Sequence, residues 1–74
     1  MLEEFEERFK NIMEADINMF QRDLRLTALM TDLEKAYKIP IINDAFFNKR
    51  NEEVMKLYRD VANHRVSVKN KNTS

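Results

Sequence analysis

The apolar positions of the chain fall into helical rows. At 100° per residue, Leu2, Phe5, Phe9, Ile12, Met13, Ile17, Phe20 and Leu24 gather on one broad stripe. Leu26, Leu29, Met30, Leu33, Ala36 and Tyr37 form a second stripe, rotated from the first by roughly 130° on the same wheel. Neither Gly nor Pro interrupts residues 2–38, and most of them are good helix formers. The pattern therefore predicts one long helix over about residues 2–38. The change of face near Leu24 has two physical answers. The helix runs on with a kink and its halves meet different partners, or it breaks between residues 25 and 31, where Thr31-Asp32-Leu33-Glu34 has the form of a capping box.

Pro40 sets the stop, because a residue before proline is pushed out of the α region. A turn at Ile39-Pro40-Ile41-Ile42 follows. Asn43-Asp44, and again Asn51 ahead of Glu52-Glu53, are suited to N-capping. Phe47, Val54, Leu57, Tyr58 and Val61 share a face, which predicts a second helix from about residue 44 or 51 to about residue 65. Residues 67–74 are polar and weakly basic and read as a disordered tail behind a single domain over 1–66.

These lengths do not match. A helix of about 36 residues is roughly 54 Å long, and one of about 20 covers only roughly 30 Å of it. The expected architecture is an all-α antiparallel hairpin with an uncovered apolar stripe, closing as a homodimeric four-helix bundle. Phe5, Phe9, Ile12, Phe20 and Leu24 are the candidate self-association residues. Phe47, Val54, Leu57, Tyr58 and Val61 are the candidates for packing between the helices. A break in the first helix would let three helices close on one another and would weaken the case for a dimer. Charge fits a hairpin: residues 1–16 carry six acids and two bases, whereas residues 63–74 carry three bases and no acid.

Composition narrows the chemistry. A chain of 74 residues has a small core, and without Cys it has no disulfide to compensate. The absence of Gly removes the phosphate-binding and dinucleotide loops. With His64 as the single His, a Cys/His zinc site cannot be assembled within one chain. Asp60 and His64 stand i,i+4 apart, yet the Glu-x-x-His pattern of di-iron bundles has Val61 in the Glu position. The run of Glu3, Glu4, Glu6 and Glu7 suits a solvated first turn, where negative charge meets the positive end of the helix dipole. Its position offers no cleft that would separate carboxylate pKa values for acid–base work. The five Met residues read as core filler before they read as a recognition groove. No catalytic, metal or cofactor site is expected.

Thirteen basic and thirteen acidic residues cancel, which disfavours nucleic acid as a partner. No apolar run approaches a membrane span, and the acidic start is unlike a secretory signal, so a soluble cytoplasmic protein without a membrane partner is expected. In size and hairpin architecture the chain is similar to the small helical aspartyl phosphatases of sporulating bacilli. Their Ser-Gln-Glu-Leu-Asp signature has no counterpart: its nearest placement, Tyr58-Arg59-Asp60-Val61-Ala62, puts Ala62 at the acidic position, so no phosphatase activity is implied. The leading expectation is a non-catalytic, homodimeric interaction or regulatory module, with a second copy of the chain or a different protein as partner. The alternative is a helix-turn-helix-like DNA-associating protein using residues 33–50, where Lys49-Arg50 follows the turn.

Overall fold

The computed structural model describes residues 2–42 and 44–65; the predicted tail at 67–74 and the candidate cap Asn43 lie outside the described residues. The described chain is all-helical: α1 (Leu2–Glu14), α2 (Met19–Tyr37), α3 (Ala45–Arg50) and α4 (Glu52–Asn63).

The long helix over 2–38 is two helices, and the break lies at residues 15–18, ahead of the 25–31 window that the change of face suggested. The chemistry of the break is local. The amide of Ala15 bonds back to the carbonyl of Ile12 at 3.3 Å, a tight closing turn on α1. Asn18 is extended (φ −76°, ψ 170°), and its side chain accepts the amide of Gln21 at 2.8 Å while its carbonyl accepts Arg22 N–H at 3.0 Å. Asn18 followed three residues later by Gln21 is thus the working helix start. Thr31, by contrast, sits within α2, and its hydroxyl donates to the carbonyl of Thr27 at 3.1 Å.

Reversal at residues 15–18 lays α1 antiparallel to α2. Phe5 meets Tyr37 edge to face with ring centroids 5.9 Å apart, and Arg8 reaches Asp32 at 2.6 Å. Helix α4 returns along α2 in turn, with Tyr58 at Glu34 and Arg65 near Met30 and Asp23. Helix α2 makes the larger contacts with both α1 and α4, and these two also meet, through Phe9 and His64, so the three helices pack around one common core, 36 × 33 × 16 Å overall. Leu26, Leu29 and Leu33 of α2 are fully buried, and Ile12 of α1 and Leu57 and Val61 of α4 complete one core cluster with them. Phe5, Phe9, Met13, Met30, Tyr37, Ile39 and Tyr58 pack on its edges.

The turn after α2 follows the proline rule with one unusual residue. Lys38 caps the helix in the left-handed region (φ 54°, ψ 46°), and both its amide and that of Ile39 bond to the carbonyl of Glu34. Glycine is the usual occupant of this position because a Cβ is disfavoured there. Asp44 then caps α3, accepting the amides of Phe46 and Phe47 at 3.0 and 3.2 Å. The expected second helix over 44–65 is interrupted at Asn51 (φ −132°, ψ 47°). That residue closes α3, its amide and its side-chain nitrogen both bonding to the Phe47 carbonyl. It also opens α4, its own carbonyl accepting Met55 N–H at 2.9 Å.

Two stability predictions follow from these positions. Leu29→Ala empties the centre of a thin core and is expected to cost about 2–5 kcal/mol, a large share of the total stability of so small a chain. Lys38→Gly relieves the left-handed cap and is expected to stabilise by about 1 kcal/mol. Urea titration followed by circular dichroism reads both; an unchanged midpoint for Leu29→Ala would contradict the assigned core.

Candidate functional site

The five candidate self-association residues do not share one surface. Ile12 is buried in the core cluster, and Phe5 and Phe9 pack against it from α1. Phe9 also meets the His64 ring at 5.5 Å. Phe20 and Leu24 lie on the far side of the break and are 72% and 55% exposed. The physical reason is phase. Leu26, Leu29 and Leu33 fix the inner face of α2, and Phe20 and Leu24 stand roughly 120° and 160° around the helix from Leu26. The premise that a short second helix leaves the whole 2–24 stripe open is therefore corrected, because the folded-back α1 buries its own part of that stripe.

Of the inter-helix candidates, Val54, Leu57 and Val61 are buried, with Leu57 and Val61 in the common cluster; Phe47 and Tyr58 are half-buried. Residue spacing did not reveal the bare apolar connection. Ile41 is fully exposed, and Ile42 and Phe46 are 80% and 82% exposed. An apolar run beside a proline was visible, but nothing in it indicated whether a neighbour covers it. Met19 is a further exposed apolar residue, at the start of α2 beside Phe20. The two exposed clusters lie toward opposite ends of α2, which spans roughly 28 Å.

Of the polar groups singled out in the sequence, His64 is engaged in structure, whereas Glu3, Glu4, Glu6 and Glu7 are exposed. His64 Nδ1 lies 2.7 Å from the carbonyl oxygen of Asp60, to which it donates, and its ring meets that of Phe9 in a T-shaped contact. Glu6 and Phe9 of α1 share a shallow cleft with Glu53, Lys56 and Asp60 of α4. Arg65 meets Asp23 of α2 at 3.8 Å, a pairing that the end-to-end charge asymmetry did not specify. No group of three or more His, Cys, Asp or Glu side chains placed to hold a metal ion occurs among the described residues. No helix among them is long and apolar enough to cross a membrane.

One polar contact joins α2 to α4 near the connection. The Tyr58 hydroxyl donates to Glu34 Oε2 at 2.5 Å. Burial pushes the Tyr58 pKa up to about 12, aided by the hydrogen bond to Glu34 and the carboxylate charge and opposed by Arg65. Above this contact a cleft of about 380 Å³ opens between the Ile39–Ile42 connection and α4.

The chain matches no protein-family model, and neither a curated protein nor a solved structure is significantly similar to it.

The Tyr58 contact has a definite pH dependence. Because the folded-state pKa lies above the ordinary value of 10.0, the contact contributes fully below pH 10 and is lost as pH rises toward about 12. Thermal unfolding of the native chain should weaken across that window, and Tyr58→Phe should flatten the decline. An identical decline in both proteins would contradict the coupling.

Proposed function

We propose that the protein is a non-catalytic helical interaction module that associates with a second copy of itself. The observation that carries this reading is the balance of its apolar residues. Among the described residues, Met19, Phe20, Leu24, Ile41, Ile42 and Phe46 are exposed, while the core is Ile12, Leu26, Leu29, Leu33, Val54, Leu57 and Val61. A thin core beside so much bare apolar surface favours association, since small chains gain stability most readily by enlarging their core across an interface. The outer face of α2 is suited to a two-fold contact: Phe20, Leu24 and the exposed Ala28 follow one another at four-residue steps. In such an assembly each chain contributes its own three packed helices, where the hairpin expected from the sequence would have contributed two long helices.

DNA association through residues 33–50 gains no support from the geometry. Lys49 and Arg50 end the six-residue α3, whereas recognition helices of this class present their N-terminal residues to the bases.

Light scattering over a range of concentrations is the test. The wild-type chain should shift toward twice its mass as concentration rises, and Phe20→Glu combined with Leu24→Glu should remain monomeric with unchanged helicity. Phe9→Glu should instead lose helicity, because Phe9 belongs to the intrachain packing. A wild-type chain that stays monomeric throughout would overturn the homodimer.

A further inference from the structure

The outer face of α2 carries a pattern of sizes as well as an apolar row. Phe20 is its most exposed large side chain, at 72%. Beyond it, Leu24, Thr27, Ala28 and Thr31 occupy positions i, i+3, i+4 and i+7, the four-residue hole that receives a side chain from a facing helix. Ala28 leaves room in that hole, and both of its hydroxyls are satisfied from within. Thr27 donates to the carbonyl of Asp23 at 2.8 Å, and Thr31 donates to the carbonyl of Thr27 at 3.1 Å. An aromatic ring laid over them strands no hydrogen bond. Leu24 is the midpoint of the pattern, four residues after Phe20 and four before Ala28.

A two-fold axis beside Leu24 can relate two such helices in either direction. A parallel pair sets each residue against its own copy, so Phe20 meets Phe20, Ala28 faces Ala28, and Lys35 lies against Lys35. An antiparallel pair brings each Phe20 to the hole of the other chain. Charge favours the second arrangement. Lys35 lies roughly 17 Å past Leu24 on the outer face, whereas α2 begins at Met19, roughly 8 Å before Leu24. In an antiparallel pair Lys35 therefore reaches past the start of the other α2 to the level of the break, beside the exposed Glu14 and Asp16. None of these three residues forms an ion pair among the described residues. The acids nearest Lys35 are taken, Asp32 by Arg8 and Glu34 by the Tyr58 hydroxyl. Of the bases nearest Glu14 and Asp16, Arg22 is half-buried on the inner side of α2, and Lys10 lies a turn back along α1.

We infer that the two copies meet antiparallel through α2 about an axis at Leu24, each Phe20 seated in the Leu24–Thr27–Ala28–Thr31 hole of the other and each Lys35 facing the other's Glu14 and Asp16. The inference rests on the homodimer proposed above and gives it a direction and a register. The row of four-residue steps packs as a ridge into the groove of its own copy, which crosses the two helices at about 50°. Lys35 against acids at the rim sets direction more than affinity.

Spin–spin distances measured by electron resonance on the full chain test it, since a chain without Cys accepts one label at a chosen site. Labels on Arg25→Cys, next to the axis, should lie within about 20 Å of each other, and labels on Lys35→Cys should lie roughly 30 Å apart. Light scattering and circular dichroism on the same samples report whether each protein is dimeric and folded. Ala28→Phe fills the hole at an exposed position and should weaken association about tenfold with helicity unchanged. A dimer with Lys35 labels within about 20 Å is a parallel pair, and one with Arg25 labels far apart uses another face. Either result would overturn the inference and leave the homodimer standing, as would undiminished association of Ala28→Phe. A chain that stays monomeric at every concentration would overturn both.

Discussion

Burial of the Leu26, Leu29 and Leu33 row is the interaction on which the rest of the fold depends. These side chains are fully removed from solvent, and they are the surface on which both flanking helices pack. Each fully buried Leu contributes roughly 1.5–3 kcal/mol by leaving water, and no disulfide adds to that in this chain. Once this row faces inward, the outward direction of Phe20 and Leu24 is fixed by helical geometry alone. The exposed apolar surface at the start of α2 is thus a consequence of how the centre of α2 is buried.

The polar contacts act around this row as guides more than as sources of stability. Arg8–Asp32 is a half-exposed pair, and contacts of that kind contribute little on their own. It does, however, fix the register of α1 on α2 at a point between the Phe5–Tyr37 contact and Ile12. Tyr58–Glu34 and Arg65–Asp23 do the same for α4. Asn18 at the start of α2 and Asp44 at the start of α3 bond local amides through short side chains, and Lys38 closes α2 in the left-handed region, so the chain changes direction without a single glycine.

Functionally, the arrangement divides the molecule into a structural interior and two apolar outlooks. The start of α2 presents apolar side chains at helical spacing, a geometry suited to meeting another helix. The connection after α2 and the start of α3 present Ile41, Ile42 and Phe46. Separate surfaces of this kind would let one small chain make two contacts.

The helical class, the stop ahead of Pro40, the cap at Asp44 and the packing face of Val54, Leu57 and Val61 were all legible in the sequence. Each is a local property: helix propensity, proline sterics, a carboxylate within reach of free amides, a 3.6-residue period. The break at residues 15–18 was legible only in part. Asn18 and Gln21 carry a capping signal, but without Gly or Pro beside it the apolar period runs through to Leu24 and masks the change of helix. The sequence by itself thus determined the helical class of the chain and which faces are apolar. Tertiary structure alone decided which apolar face is covered, because periodicity records the direction of a side chain and not the presence of a neighbour. Folding α1 back onto α2 buried Ile12, half-buried Phe5 and Phe9, and left Phe20 and Leu24 in solvent, although all five lie on one stripe of an unbroken helical wheel.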